Sequence, residues 1–294
     1  MSLNLEMLQV VRLAPRVLGD SSELVAEYYL GLQNSDGGFP DRAGKSDLYY
    51  SSFAIGGLMG LQRPLPLAGL RKFLEPYGDG DGLDLVHLSC LARCLSAIHD
   101  RHVPANIVDS LCQRLENFRA LDGGFSSDMG DARGSVYGSF LALGMYQDLG
   151  RVMPHGDRVL ESIVSFRCPD GGFANGVELA IGLTPPSCAA AMLFRHLGGQ
   201  VDARLVAWLW QRFRAGGFCV MEGIDVPDLL STATALHALS GMQVDLKPIS
   251  EPALDFVDSL WNARGGFHGG WEDDEVDCEY TYYGLLALGH LSLL

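Results

Sequence analysis

The stretch QNSDGGFPDRAGKSDLYY, residues 33–50, closes one amphipathic helical pattern and opens another through a polar loop. Its Gly-Gly-Phe returns at Gly123-Gly124-Phe125, Gly171-Gly172-Phe173, Gly216-Gly217-Phe218 and Gly265-Gly266-Phe267. From Gly123 onward the copies recur every ~46 residues. The gap from Gly37 to Gly123 is close to twice that, and GDGDGLD (78–84) stands where a worn copy falls. The chain therefore reads as six repeats, none of which can bury its apolar face alone.

Each repeat reads as two helices. Amphipathic segments at 22–33, 104–119, 154–167, 202–214 and 252–262 precede the Gly-Gly-Phe copies. Glycine accepts the left-handed conformation, so Gly-Gly is expected to end each of these helices at its C-terminus, with the phenylalanine plugging between repeats. The second helix is apolar on most of its circumference, as in SSFAIGGLMGL (51–61), SCAAAMLFRHL (187–197) and TYYGLLALGHL (281–291). Such a helix is buried. The expectation is an all-α fold, a closed α/α toroid with six outer helices around six inner ones. Closure is favoured because the last inner helix ends the sequence without a polar capping repeat. An extra helix at 3–18 precedes the repeats, and residues 1–294 read as one domain.

Composition narrows the function. The 294 residues are 48% hydrophobic and 19% charged, with a formal net charge of −15. A balance so acidic argues against nucleic acid as a partner, which needs clustered Lys and Arg. No apolar run is long and charge-free enough to span a bilayer, and the N-terminus lacks a signal-peptide pattern. Seven cysteines without a CxxC pair suit buried thiols in a reducing, cytoplasmic setting better than a disulfide framework.

Aligning the repeats on their inner helices gives a column of Asp47, Asp84, Asp131, Leu183, Asp228 and Asp277. Four residues on stand Ser51, Leu88, Ser135, Ser187, Thr232 and Thr281. Aspartate caps helix N-termini and suits the positive end of the helix dipole. The column thus places six N-termini around one mouth, where a ligand could enter an apolar cavity.

These repeats, with LYYSSFAIGGLMGLQ (48–62), GGFSSDMGDAR (123–133), VPDLLS (226–231) and GGFHGGWEDDEVDCEYTYYGLLAL (265–288), resemble the protein prenyltransferase β-subunits, within the squalene and terpenoid cyclase superfamily. The likeness is greatest to the Rab (type II) geranylgeranyltransferase β-subunits and covers nearly the whole chain. It implies an α/α toroid, an isoprenoid or similar lipid in the central cavity, and a helical α-subunit-like partner. It also implies a zinc ion held by the Asp and Cys of an Asp-x-Cys on the fifth inner helix and a His on the sixth. Here those positions are Asp228, Leu230 and Tyr280, so Asp228 is the sole remnant and zinc is not expected. The family's diphosphate-binding Arg and Lys fall on Glu222 and Asp225, and AIGLTPPSC (180–188) has no histidine. Asp131-Ala132-Arg133 matches an Asp-x-Arg whose arginine lies in the family's cavity.

The mouth loops are rich in acids, among them Asp41, Asp128, Glu178, Glu222, Asp225 and residues 272–275, opposed by Arg42, Lys45 and Arg133. Such a mouth repels a bare diphosphate and suits one escorted by Mg²⁺. DDEVD (273–277) matches the DDxxD of class I terpene synthases, which makes Asp277 a weak Mg²⁺ candidate; a solvated acidic loop is the plainer reading. Tyr49, Tyr50, Tyr137, Tyr280, Tyr282, Tyr283 and Trp271 gather at inner-helix starts and late loops, where the family lines its isoprenoid pocket. The candidate substrate-contacting set is Arg133, Asp131, Tyr137, Tyr280, Tyr50 and Trp271. Two functions follow: a lipid-holding toroid that has lost zinc-dependent prenylation, or an enzyme of prenyl or terpenoid substrates using Mg²⁺ or a partner subunit.

Overall fold

The computed structural model describes residues 2–100, 102–176 and 178–293. Two short helices, α1 (Leu3–Val11) and α2 (Pro15–Leu18), precede six helical pairs. The outer members are α3 (Ser21–Leu32), α5 (Leu67–Leu74), α7 (Ala105–Glu116), α9 (Gly156–Val164), α11 (Ala203–Trp210) and α13 (Ser250–Ser259). The inner ones are α4 (Leu48–Gly60), α6 (Leu85–Ile98), α8 (Val136–Asp148), α10 (Thr184–His196), α12 (Leu229–Gly241) and α14 (Cys278–Leu291). Each inner helix packs on the next and α14 packs on α4, so the ring closes. The helix expected over 3–18 is instead two, because Pro15 has no N–H to give to the carbonyl of Val11 and its ring crowds it.

Gly-Gly does not end the outer helices. Those stop at Leu32, Glu116, Val164, Trp210 and Ser259, a full turn or more before the glycines. The first glycine of each pair sits in a tight turn with φ of +97° (Gly37), +98° (Gly123), +100° (Gly171), +87° (Gly216) and +98° (Gly265). At four of the five a Cβ would collide with the next outer helix, 2.0 Å from the Gly69 carbonyl oxygen for Gly37 and 2.3 Å from that of Pro252 for Gly216, whereas at Gly171 it would make only an ordinary 3.8 Å contact with Trp208. At Gly265 it would lie 2.2 Å from the carbonyl oxygen of Leu24 in α3, the first outer helix. Glycine thus lets each turn seat on its neighbour, and the last seat closes the ring.

The phenylalanines that follow are buried, between 0% and 3% exposed. Each N–H donates to a hydroxyl on the inner helix of its own repeat: Ser51 at 2.9 Å, Ser139 at 3.1 Å, Ser187 at 2.8 Å, Thr232 at 2.9 Å and Thr281 at 3.2 Å. This corrects the register of the third repeat. Ser139, not Ser135, belongs to the hydroxyl column. Ser135 is instead the N-cap, accepting from the Gly138 N–H at 2.9 Å, and Asp131 lies in the loop before it. The cap column is therefore Asp47, Asp84, Ser135, Leu183, Asp228 and Asp277. Leu183 offers no side-chain cap, and α10 needs none there. Its second and third residues are Pro185 and Pro186, which lack the N–H groups a cap would satisfy.

At the opposite end, α1 lies across the C-termini of the inner helices. The Leu3 N–H donates to Gln147 on α8 at 2.7 Å, and Glu6 meets His196 at the end of α10 at 3.3 Å. Gly60 and Gly289, near the ends of α4 and α14, face Val11 and Val10. The toroid is thus open at the inner-helix N-termini and floored by α1. All seven cysteines are free thiols, and Cys90 and Cys94 are packed as small hydrophobes.

Candidate functional site

Two residues after each cap, in the first turn of the inner helices, stand Tyr49, Val86, Tyr137, Pro185, Leu230 and Glu279; Val86 lines the vestibule and the other five line the central cavity. A helix repeats its face at i+4 and i+7. Accordingly Glu279, Tyr283 and Leu286 on α14, Leu230, Thr234 and His237 on α12, and Pro185, Ala189 and Met192 on α10 line one central cavity of about 290 Å³. Tyr49, Tyr137, Phe140, Asn175, Pro186, Cys188 and, from α1, Met7 complete it. No Lys or Arg lines it. A wider vestibule adjoins it at Tyr137 and Asn175 and carries Asp128, Asp131, Arg133 and Glu178.

Glu279 is the one acid in this cavity lining. Its carboxyl accepts the Tyr49 hydroxyl at 2.6 Å across the seam between the first and last repeats. Burial pushes it up to about 7, and Asp277 adds to the rise. Burial also raises Tyr49 far above the ordinary phenol range. On the floor, His237 Nδ1 and His290 Nε2 lie 3.0 Å apart. Burial drives His237 down to about 4 and His290 down as well, so the pair is neutral near pH 7. The buried Nε2 of His237 has no hydrogen-bond partner.

The raised Glu279 has a consequence for stability. Its folded value, about 7, exceeds the ordinary 4.5. The native state therefore holds the proton more tightly, and stability falls as pH rises from about 4.5 to 7. Glu279→Gln keeps an acceptor for Tyr49 and removes the charge. The variant is expected to match the wild type near pH 4.5 and exceed it by about 3 kcal/mol at pH 8. Urea titrations at the two pH values check this; a variant less stable at pH 8 than the wild type would contradict it.

The other candidates are dispersed. Arg133 is not in the central cavity. It is exposed in the vestibule, donating to Ser165 Oγ at 2.7 Å with its guanidinium 5.5 Å from the Phe166 ring centre. Asp131 accepts the Ser126 hydroxyl at 2.6 Å. With the third repeat in register, Tyr137 takes the cavity position that Arg133 would have held, and its N–H donates to Asn175 at 3.0 Å. Tyr50 and Tyr280 each follow a cavity-facing residue by one place, a turn of ~100° that carries them off that face. Tyr50 packs edge-on to Tyr49, and Tyr280 lies under Arg42. Trp271 folds outward over α13, edge-on to Phe256, with its indole N–H on Ser259 at 2.8 Å.

Part of the acidic mouth is paired. Arg42 bonds Asp273 at 2.7 Å and Asp277 at 2.9 Å, and approaches Glu275 at 3.7 Å, so the DDEVD segment is stitched to the first repeat. Glu222 and Asp225 approach Arg212 at 3.7 Å and Arg214 at 3.9 Å. Asp277 is buried and caps α14 through the Tyr280 N–H at 2.8 Å. Asp228 caps α12 through the Ser231 N–H at 2.7 Å, and burial raises its carboxyl. Beside Asp228, Leu230 lines the apolar cavity and Tyr280 lies off it, under Arg42. Among the described residues no three His, Cys, Asp or Glu side chains converge on a metal position. No described helix is long and apolar enough to cross a membrane.

Comparison with known proteins agrees with this architecture. The family model of the prenyltransferase alpha-alpha toroid domain matches residues 16–90, 83–219 and 188–293. No curated protein matches significantly. Among solved structures, protein geranylgeranyltransferase-I of Candida albicans, complexed with GGPP, superposes with a TM-score of 0.69 at 16% identity, over 92% of this chain and 90% of that one. The type II terpene cyclase MstE from Scytonema gives 0.61 at 12% identity, over 94% and 97%. An α-1,6-mannanase from Salegentibacter gives 0.63 at 10% identity, over 94% and 99%. A fold shared by a sugar hydrolase and two isoprenoid enzymes leaves chemistry to the site. By its repeats, its closed double ring of helices and the family match along its length, the chain belongs to the prenyltransferase alpha-alpha toroid family.

Proposed function

We propose that this protein holds an isoprenoid or similar linear lipid in its central cavity and does not perform zinc-dependent thiol prenylation. The observation that carries the reading is the cavity itself: about 290 Å³, walled mainly by aromatic and aliphatic side chains, with no Lys or Arg among the described residues that line it. Its size is at the small end of the ~300–1,000 Å³ usual for ligand pockets. A farnesyl-length chain suits it, and a geranylgeranyl chain would extend into the vestibule. Loss of the cysteine position to Leu230 turns what would be a metal ligand into lipid-facing wall. A helical partner subunit, Mg²⁺ at the mouth and a cytoplasmic setting belong to the same proposal, and the resemblance is what supports them.

The test is thermal. A ligand that binds only the native state stabilises it by ~2.7 kcal/mol at 100 times its Kd. Farnesol or geranylgeraniol is therefore expected to raise Tm by roughly 5–10 °C at saturation. The corresponding diphosphates without Mg²⁺ should do no better, since no Lys or Arg among the described residues lines the cavity and its His237 is neutral near pH 7. No shift from either alcohol would refute the cavity reading. A strong metal-free preference for the diphosphate would refute the assignment of its polar end.

A further inference from the structure

Glu279 has one hydrogen bond, to Tyr49, and no Lys, Arg or His pairs with it among the described residues. The nearby Arg42 is committed to Asp273 and Asp277. Around the carboxyl stand the rings of Tyr49, Tyr137 and Tyr283, all of which line the same cavity. Each is close enough to be electrostatically coupled to it. A carboxyl and three phenol rings, in a pocket with no Lys or Arg among its described lining residues and with His237 neutral at its floor, form surroundings that select an organic cation. An anion meets repulsion there, and a neutral head gains one hydrogen bond.

We propose that the cavity recognises a lipid whose polar end is an ammonium group, with Glu279 as its counter-ion and Tyr49, Tyr137 and Tyr283 as an aromatic cage. This rests on the reading of the cavity as a lipid site and specifies its ligand class. The lipid tail runs toward Phe140, Met192 and Leu286, and the nitrogen sits at the first turn of α14. Tyr49 holds one carboxyl oxygen by its hydroxyl and leaves the other for the ligand. Binding of the cation favours the ionised carboxylate, so it releases the proton that desolvation otherwise keeps on Glu279 near neutral pH.

The experiment compares farnesylamine, farnesol and farnesyl diphosphate, which share one tail, by titration calorimetry at pH 7 in 0.15 M salt. The amine is expected to bind at least tenfold tighter than the alcohol, and the diphosphate at least tenfold weaker. Amine binding should release protons, seen as heats that vary with the ionisation enthalpy of the buffer, while alcohol binding should not. Glu279→Gln should bring the amine to the affinity of the alcohol and change the alcohol less than threefold. Removing one of a net 15 negative charges leaves non-specific attraction to the surface intact, so this loss isolates the cavity. The wild-type comparison stands even where the variant fails to fold. Equal affinities for amine and alcohol, or an amine preference that survives Glu279→Gln, would overturn the proposal while leaving the lipid site. Binding of none of the three would overturn both.

Discussion

A chain ending at Asp277 is expected to lose cooperative unfolding altogether, although it lacks only one of six repeats' inner helices. In an open solenoid each repeat touches only its neighbours, and trimming one end spares the rest. Here α14 packs on α12 and α13 on one side, on α4 across the seam, and on α1 and α2 at the floor. Its buried residues include Tyr282, Leu285, Leu286, Leu288 and Leu291. At ~1.5–3 kcal/mol per large buried side chain, these five alone contribute roughly 10 kcal/mol. A whole domain is stable by only ~5–15 kcal/mol. The truncation also removes the partners of Tyr29 and Tyr49, the Cys278 carbonyl and the Glu279 carboxyl. Circular dichroism through a urea titration decides the matter. A sloping, transition-free curve is expected; a sharp transition near the full-length midpoint would mean that the seam carries little of the stability.

The sequence reveals the ring more readily than the site, for a physical reason. Turns that need glycine and a buried phenylalanine recur in every clear repeat, so Gly-Gly-Phe marks the period wherever it stands. The cap does not demand aspartate: any short acceptor serves. Aligning on acids therefore drew Asp131 into the column, shifted the third repeat by four residues and carried Arg133 into the cavity. The hydroxyls that accept the phenylalanine N–H hold a firmer register. Ser139, Ser187, Thr232 and Thr281 each lie 14 residues beyond their phenylalanine. Counting from Phe125 gives Ser139, hence Ser135 as the cap and Tyr137 in the cavity ring. On that register Glu279 stands out as the single charged residue among Tyr49, Val86, Tyr137, Pro185 and Leu230. Its pairing with Tyr49 spans 230 residues, and only closure of the ring brings the two together. The acids of the mouth mislead in the opposite sense, since Arg42 meets Asp273 and Asp277 only when the ring closes, while Arg212 and Arg214 lie close to Glu222 and Asp225 within one repeat.

The floor of the cavity rests on close approaches of α1 to the inner helices, and Gly289→Val should break the tightest backbone contact among them. A Cβ at Gly289 would lie 2.1 Å from the carbonyl oxygen of Val10 and 2.7 Å from its carbonyl carbon. Backbone cannot rotate aside as a side-chain tip can, so α1 must lift off α14 or the inner ring must spread. Overpacking of this kind costs typically 1–3 kcal/mol, and more where backbone must move; about 3 kcal/mol or more is expected here. Gly144→Ala on α8 is the matched control. Its Cβ would meet only Asn4 Nδ2, at 3.6 Å, and exchanging glycine for alanine within a helix gains roughly 0.5–1 kcal/mol. Because α1 supplies Met7 to the cavity, the two substitutions should also part in function. Gly144→Ala should retain the thermal shift with farnesol. Gly289→Val, even where cooling restores its helicity, should lose most of it, because a lifted α1 opens the apolar end to water. Equal stability of the two variants in urea would show that α1 docks loosely. A full farnesol shift in Gly289→Val would show that the ligand is held by the inner helices alone.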